Sequence, residues 1–361
     1  MRRSLSILTV CAALVVAGCG GGDEPTQPSE GAGAASAADL GAIKQYLLEH
    51  TARLKTDVAK LRANADAYYD LAKGADFDYA KLLETQRGEV SRLVKEGQQT
   101  FVDANPAYEE MEGVVAGVPS LADFDVIIDA GGDASDPATA VPFDIETLDG
   151  RTFKQPGNFN FLAETSLYGT EPRFAAKGVK PDLDGDGRIE FGEALPDANF
   201  YAAAMRDFET QANKLDTAAQ AYEPTLQDAM TALVVMTPTM SEYFEAWKNS
   251  RFVAGGKATE TAFVAASRLQ DIQDILGGLV LVYDNVQPSI AEADAQQAQQ
   301  TETSLKDLRD FAGNLKDEEA DGKEFTASDA DTLGSEAQNQ AEAIAGQISQ
   351  AAGQLDIDLE T

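Results

Sequence analysis

Residues 39–73 read DLGAIKQYLLEHTARLKTDVAKLRANADAYYDLAK, and the spacing of their apolar side chains decides the fold class. Members of one stripe recur three or four positions apart, which is the spacing of one face of an α-helix. The stripe consists of Leu40, Ile43, Leu47, Thr51, Leu54, Val58, Leu61, Ala65, Tyr68 and Ala72. Gly74 follows it, at a position where glycine commonly ends a helix. The pattern predicts one long amphipathic helix, whose apolar face needs other helices to cover it.

The same helical period continues over most of the remaining chain, where prolines, glycines and polar turns separate further predicted helices. Residues 131–156, in contrast, are rich in Gly, Asp and Pro and predict an irregular middle with at most one small strand pair. We therefore expect an all-α protein of two packed antiparallel helical bundles, formed by residues 39–169 and 198–361. The further predicted helices are 79–104, one from Pro106, 200–222, one from Pro224 to Pro238, 240–252, 263–286, 290–315 and 328–355.

Residues 182–193 read DLDGDGRIEFGE, which is the complete pattern of a twelve-residue calcium-binding loop. Gly187 stands at the sixth position, where the backbone must turn sharply, and we expect the apolar Ile189 at the eighth position to be buried. A solvated acidic loop is the alternative, because a chain rich in Asp and Gly produces such turns by chance. The expected ligands of one structural calcium ion are Asp182, Asp184, Asp186, the Arg188 carbonyl, Glu190 through a water, and Glu193 with both oxygens.

The residues around this loop argue against an ordinary helix–loop–helix calcium hand. Gly178 and Pro181 interrupt any entering helix, and Pro196 lies just past the last ligand. The sequence contains no second loop of this kind. We expect a single calcium-binding loop within residues 170–197, which form an insert between the two bundles. The bound calcium would order this insert and fix how the bundles meet.

The N-terminal segment has the features of a lipoprotein export signal. Arg2 and Arg3 precede an apolar run over 5–16, and small residues come before Cys19. A transmembrane helix is the alternative, but the run is too short for one. We expect residues 1–18 to be removed, Cys19 to carry lipid, and residues 19–38 to form a flexible tether. The lipid anchor places the mature protein on the outer side of the cytoplasmic membrane, or in the periplasm or at the outer membrane.

Composition limits the partners of the domain. The formal net charge is −33, and loss of Arg2 and Arg3 with the leader makes the mature chain more negative. Nucleic acids and anionic lipid headgroups are poor partners for such a surface, whereas cations are favourable ones. The alternative is that the charge serves solubility alone. Cys11 leaves with the leader and Cys19 carries lipid, so the mature domain can form neither a disulfide nor a thiolate metal site.

His50 is the only histidine of the chain, and it limits the catalytic chemistry that is available. No HExxH, HxxE or Ser/His/Asp arrangement can be built around it. Zinc hydrolases normally use at least one or two imidazole ligands. We therefore expect a protein that is not an enzyme, with His50 as a rim residue rather than a ligand.

Several short segments carry a resemblance to a known family. The acidic ones are YEEME at 108–112, FDVIID at 124–129 and GNFNFLAETSLYG at 157–169. Together with TPTMSEYFEAWKNSRF at 237–252 and EFTASDADTL at 324–333, their order resembles the imelysin-like family, which includes the periplasmic iron-uptake component EfeO and its shorter relative EfeM. The resemblance covers roughly residues 40–355, interrupted by the calcium insert. From spacing alone, surface carboxylates of a very acidic protein are the favoured interpretation of the same acids.

The family motif is G-x-H-x-x-E-x-x-x-[WY]-G, and Glu164, Tyr168 and the glycine after it match its right-hand half. The resemblance implies two helical bundles with a metal-associated cleft between them, to which Glu112, Asp129, Glu164 and Tyr168 carry over. Phe161 stands where the motif has its histidine, and a phenyl ring cannot ligate a metal. A carboxylate-only site for a second, hard metal ion is one expectation, and a plain apolar cleft is the other.

These observations favour an extracytoplasmic, lipid-anchored binding protein that acts in or near iron or metal acquisition, with other envelope uptake components as partners. The alternative is a non-catalytic surface scaffold whose metal cleft is lost, which the phenylalanine in the motif favours. The position of the carboxylates distinguishes the two, since converging carboxylates support binding and scattered ones support a scaffold. A metallopeptidase is the third and least favoured hypothesis.

Overall fold

The computed structural model of the chain describes residues 38–360, and the predictions for the leader, for Cys19 and for the tether up to residue 37 lie outside this range. Within it, helices dominate beside one two-stranded sheet, and the prediction of an all-α protein is confirmed. The elements are α1 (Leu40–Gly74), α2 (Tyr79–Val115), α3 (Ala122–Asp125), a π-helical turn (Val126–Ala130), β1 (Asp144–Glu146), β2 (Thr152–Lys154), α4 (Phe159–Tyr168), α5 (Ala198–Ala221), α6 (Leu226–Met236), α7 (Met240–Asn249), α8 (Arg251–Ala254), α9 (Arg268–Ala320) and α10 (Ala327–Gln354).

The first helix forms as its apolar spacing predicts. Asp39 caps α1 by accepting a hydrogen bond from the Ala42 amide at 3.0 Å, and the stripe is buried from Ile43 to Ala72. The helix ends at Gly74, but the chain reverses just beyond it, where Asp76 and Phe77 adopt left-handed backbone angles (φ 55° and 59°).

The first bundle consists of α1, α2, α4 and α5. From its position after the predicted calcium insert, α5 was expected in the second bundle, but it packs along α1 and against α4. It runs antiparallel to α1, since Lys55 pairs with Asp216 while Asp66 pairs with Arg206 farther along. The apolar face of α5 is what completes the core around α1.

The second bundle consists of α6, α7, α9 and α10, with α10 packed against the other three. Two predicted breaks are not observed at the prolines. α2 continues through Pro106, and α9 continues through Pro288 and bends instead at Asp294 (φ −151°, ψ 96°). A proline removes one helical hydrogen bond, and packing of both long helices outweighs that loss. In the described range, none of the helices is both long and apolar enough to cross a membrane.

The two bundles meet where α2 packs on α9. A β-carbon added at Gly278 would lie 2.2 Å from the Glu110 carbonyl oxygen, and one at Gly113 would lie 2.7 Å from the Leu279 side chain. The two backbones therefore touch here, which only glycine permits. This close crossing brings the acidic face of α2 against the first turn of α9.

The segments that join α2 to α4 and α4 to α5 are irregular, as predicted, but both connect helices of the first bundle, so the insert does not lie between the two bundles as expected. β1 and β2 form one antiparallel pair in which Asp144 lies opposite Lys154. The insert 170–197 contains no helix, and its ends are held together by hydrogen bonds from the Ala176 amide to the Leu195 carbonyl and from the Asp197 amide to the Phe174 carbonyl. The insert is therefore a closed loop whose last residue caps α5.

Candidate metal centre

Three carboxylates converge where the bundles meet. Glu109 and Glu112 lie three residues apart on one face of α2, and Asp129 reaches them from the π-helical turn, so that one oxygen of each lies within 4.8 Å of the others. Glu109 and Glu112 are buried, at 0% and 4% exposure. Hard cations are held by oxygen sets of this kind. The structure thus brings together two of the predicted cleft residues, Glu112 and Asp129, and adds Glu109.

Several oxygens of this carboxylate cluster lack partners. Among the described residues, neither oxygen of Glu109 accepts a hydrogen bond, and Glu112 Oε2 accepts none either. Glu112 Oε1 accepts one from the Tyr243 hydroxyl at 2.9 Å. Arg268 Nη1 lies 3.7 Å from Glu109 Oε2, beyond hydrogen-bond distance. Buried polar atoms without partners are costly and uncommon in native proteins, so these oxygens are free to bind a cation.

The surroundings add more negative charge than positive. Asp125 accepts a hydrogen bond from the Tyr108 hydroxyl at 2.7 Å, and Asp271 accepts one from Asn105 at 2.9 Å. Arg268 donates to Asp271 at 3.1 Å. One guanidinium thus faces five carboxyl groups when these two aspartates are added to the carboxylate cluster, and the imbalance must be met by protons or by a bound cation.

The pKa values of the buried acids reflect this imbalance. Burial, reinforced by neighbouring carboxylates, raises the pKa of Glu109 well above its usual value and that of Glu112 to about 8. Burial also raises the pKa of Asp125 to about 7, and that of Asp271 to about 6 although Arg268 opposes the shift. Without a cation, part of this group therefore carries protons at neutral pH.

Two cavities open on either side of Asp129. The first cavity, about 400 Å³, is walled by Phe101, Phe161 and Phe263 as well as by acids. The second cavity, about 370 Å³, contains Glu112, Asp125 and Arg268 in its wall, and it shares Asp129 and Phe263 with the first. Phe161, which was predicted to stand in place of a motif histidine, therefore lines the cavity beside the carboxylates.

Glu164 lies in the wall of the first cavity but outside the carboxylate cluster. Its two oxygens accept three backbone hydrogen bonds, from the amides of Phe263 at 2.6 Å, Val264 at 2.9 Å and Ala265 at 2.8 Å. Burial raises the pKa of Glu164 to about 7, although these hydrogen bonds lower it. Glu164 was predicted as a cleft ligand; its geometry makes it an anchor for the segment before α9 instead.

Tyr168 was also predicted at the cleft, but it is absent from the walls of both cavities as the described residues form them. Its ring stacks on Phe191 of the insert, with the ring centroids 5.4 Å apart. Burial raises the pKa of the Tyr168 phenol to about 12. Its place is at the contact between α4 and the predicted calcium loop.

The predicted calcium loop gathers three of its six expected ligands. One carboxylate oxygen each from Asp182, Asp184 and Glu193 lies within 4.8 Å of the others. Glu193 accepts hydrogen bonds from the Leu183 amide at 2.8 Å and the Glu190 amide at 2.9 Å. The sharp turn at the sixth position is present, with φ 87° at Gly187. The remaining expected ligands, Asp186, Arg188 and Glu190, lie on the exposed side of the loop.

The apolar residues of this loop differ from the expectation. Ile189 was expected to be buried but is 52% exposed, whereas Leu183 is buried at 2%. No second loop is present in the sequence to pack on the eighth position. The loop rests on α2 instead, where Gln98 donates to the Gly192 carbonyl at 2.8 Å and Arg87 lies 3.7 Å from Asp182.

His50 lies apart from both sites, at the rim of α1. Its Nδ1 bonds to the Tyr46 carbonyl and its Nε2 to Glu110, both at 2.8 Å. Burial lowers the pKa of His50, but the hydrogen bond and charge of Glu110 outweigh this and raise it. Both ring nitrogens are therefore engaged, and this geometry lends no support to a catalytic base.

Sequence reasoning did not identify Arg268, Asp271 and Tyr243 as members of the site. Arg268 and Asp271 stand three residues apart at the start of an otherwise apolar helical segment, which is a local signal for a buried ion pair. Their position beside Glu109 depends on how α9 crosses α2, and no local pattern encodes that crossing.

A family model described as imelysin, peptidase M75, matches residues 42–350. No curated protein shows significant similarity to the chain. The matched range includes the bundles, the carboxylate cluster and the insert. On this match, the chain belongs to the imelysin family.

Proposed function

We propose that this protein is a lipid-anchored, extracytoplasmic binding protein that holds a hard metal cation between its two bundles, in or near metal acquisition, and that it is not an enzyme. The observation that carries the proposal is the Glu109 carboxylate, buried without a hydrogen-bond partner within reach of Glu112 and Asp129. Such a group is stable when a cation or a proton neutralises it. A bound cation supplies that charge at the place where α2 packs on α9.

The donor set decides which cations fit. Three carboxylate oxygens suit hard ions such as Mn²⁺, Mg²⁺ or Ca²⁺, whereas imidazole and thiolate donors favour zinc and copper. Phe161 contributes no donor, and His50 is engaged with Glu110. We therefore expect the ratio of Mn²⁺ affinity to Zn²⁺ affinity to be higher at the cleft than at sites that contain histidine.

Manganese titration followed by electron paramagnetic resonance tests the cleft. Glu109→Gln keeps the shape of the side chain and removes one anionic ligand, so we expect at least a tenfold loss of Mn²⁺ affinity. Glu110→Gln is the matched control, because Glu110 is the next residue of the same helix but pairs with His50 and Arg53. Equal Mn²⁺ affinity in the two variants contradicts the proposal and favours the scaffold hypothesis.

The loop 182–193 is proposed to bind one structural calcium ion through the ligands named from its sequence. Its three converging carboxylates and its turn at Gly187 support this. Single loops of extracellular modules bind calcium at about 10⁻⁴–10⁻³ M. Millimolar calcium should raise the melting temperature by mass action, and Asp182→Ala should abolish that shift. If millimolar calcium leaves the melting curve of the wild-type protein unchanged, the proposal of a calcium site is wrong.

The lipid anchor rests on Arg2, Arg3, the apolar run and Cys19. We expect labelled fatty acid to be incorporated into the wild-type protein and not into Cys19→Ser, which should also leave the membrane fraction. Label in the Cys19→Ser protein contradicts the anchor. An anchored metal-binding protein would transfer its ion to other envelope components. Co-purification in the presence and absence of Mn²⁺ can detect a complex with such a component.

A further inference from the structure

The insert touches the segment that walls the cleft. Residues 258–267, here called the cleft segment, join α8 to α9 without regular helix, and Ala262, Phe263 and Ala266 contribute to the cavity walls. Phe263 borders both cavities and has a left-handed backbone angle (φ 52°). For a phenylalanine this conformation is strained and persists only when the surroundings impose it. The contacts that hold the cleft segment therefore set the shape of the cleft.

One set of these contacts comes from the cleft side. The Glu164 carboxylate accepts the amides of residues 263–265. The Arg268 guanidinium lies 4.1 Å from the centre of the Phe263 ring. Arg268 is also the cation beside Glu109, so the position of Phe263 is linked to the carboxylate cluster.

A second set comes from the calcium insert. The Arg251 Nε donates to the Val264 carbonyl at 2.6 Å, and the same guanidinium lies 4.1 Å from the ring centre of Phe191, the tenth residue of the predicted calcium loop. Independently, the Thr170 hydroxyl at the start of the insert donates to the Thr261 carbonyl at 2.6 Å. The insert thus reaches the cleft segment at two separate points.

Phe191 depends on the loop backbone for its position. It is 52% exposed, and its ring contacts are Tyr168 on one side and Arg251 on the other. It lies between Glu190 and Glu193, which are the ninth and twelfth positions of the loop and two of the expected calcium ligands. A cation that fixes these positions also fixes the ring on which Arg251 rests.

We infer that the calcium loop regulates the metal cleft, with Phe191 and Arg251 as positioning residues that transmit the order of the loop to the cleft segment. Calcium in the loop immobilises Phe191, Arg251 then holds the Val264 carbonyl, and Phe263 is fixed against Arg268. By linkage, calcium and the cleft metal raise each other's affinity by the same factor. The inference rests on the proposed calcium site and on the proposed cleft function, and it adds their coupling.

Hydrogen exchange of the full-length protein, measured by mass spectrometry with and without calcium, tests the coupling. The buffer is otherwise metal-free, and calcium is added to about 5 mM, which is about five times the weakest expected dissociation constant. In the wild-type protein we expect calcium to slow amide exchange in residues 182–193 and also in the cleft segment, the latter by at least about fivefold. In Phe191→Ala we expect the protection of residues 182–193 to remain and that of the cleft segment to be lost.

Ile189→Ala is the matched control, since Ile189 lies in the same loop with the same 52% exposure, and we expect it to behave as the wild type. Glu193→Gln should remove both effects, which excludes calcium acting directly at the cleft. Calcium protection confined to residues 182–193 in the wild type overturns the coupling but leaves the calcium site standing. Absence of protection anywhere overturns both. Protection of the cleft segment that persists in Phe191→Ala overturns the role of Phe191 and Arg251 in transmission, and protection that persists in Glu193→Gln overturns the loop as its source.

Discussion

At the scale of single residues, Glu109 combines full burial with a lack of hydrogen-bond partners. It is fully buried beside Glu112 and Asp129, and neither of its oxygens is hydrogen-bonded by any described residue. Its spacing from Glu112 was visible in the sequence, but its burial was not, because burial comes from α9 crossing α2 at Gly113 and Gly278. Local spacing can identify paired carboxylates, whereas only the packed helices show that they converge with a third.

The raised pKa values predict how the stability of the metal-free protein depends on pH. The pKa of Glu112 is raised from 4.5 to about 8, and that of Asp125 from 3.8 to about 7. The folded state therefore binds more protons than the unfolded state between these values. Protonation of these carboxyl groups therefore favours the folded state. The contribution is fully present at pH values below their ordinary pKa values and is lost as pH rises towards 8. We expect the free energy of unfolding in chelator to fall from pH 5 to pH 8.

Urea unfolding at several pH values checks this prediction. His50 contributes a loss in the same direction, because its pKa is also raised. The decisive comparison is therefore with Glu112→Gln, which should show a smaller decrease in stability than the wild type over the same range. Added Mn²⁺ should flatten the wild-type curve, since metal replaces protons on the carboxylates. A wild-type stability that rises from pH 5 to pH 8 in chelator contradicts this assignment.

Glu164 makes a second prediction at this scale. Glu164→Gln keeps the size of the side chain but leaves only one acceptor oxygen for three backbone amides. We expect a loss of about 1–3 kcal/mol in the free energy of unfolding, as for other buried hydrogen bonds that are broken on one side. Ser166→Ala is the control on the same helix, because the buried Ser166 hydroxyl has no hydrogen-bond partner among the described residues. It should be neutral or stabilising, and an equal loss in both variants contradicts the anchoring role.

At the scale of elements, the sequence predicted helices reliably and their ends less well. The stripe of α1 and the breaks around Pro238 were readable, since they depend on local spacing and on proline. Pro106 and Pro288 did not end their helices, because contacts of α2 and α9 with other helices offset one missing hydrogen bond each. The placement of α5 could not be read from chain order, because it depends on pairs such as Lys55–Asp216.

The crossing of α2 and α9 gives a prediction for this scale. Gly278→Ala places a methyl group against the Glu110 carbonyl oxygen, and overpacking of this kind costs about 1–3 kcal/mol. Gly277→Ala is the matched control, because a β-carbon at Gly277 meets nothing within 4 Å. It should be neutral or stabilising by up to about 1 kcal/mol through helix propensity. Thermal or urea unfolding measures both, and equal stability of the two variants contradicts the close crossing.

At the scale of the whole molecule, two acidic sites lie at the places where its parts meet. The carboxylate cluster lies between the bundles, and the loop 182–193 lies in the insert that packs on α2 and on the cleft segment. The loop pattern was readable because its expected ligands lie close together in the chain. The cleft was predictable only in part, from the family resemblance of Glu112 and Asp129, because its other members come from distant segments.

If the two proposed sites bind cations, those cations also reduce the repulsion between the acidic segments of the molecule. The formal net charge of −33 makes self-repulsion substantial, and each bound cation removes repulsion at a junction between segments. A protein of this design should be more compact with metal than without it.

We propose that Glu109, Glu112 and Asp129 hold a hard cation where α2 meets α9. A crystal structure of the protein grown with Mn²⁺, with anomalous diffraction recorded near the manganese absorption edge, tests this proposal. We expect an anomalous peak at about 2.0–2.3 Å from oxygens of these three carboxylates, within the range of metal–oxygen distances of hard divalent ions. Anomalous density confined to the loop 182–193, with the Glu109 oxygens unliganded, would contradict it.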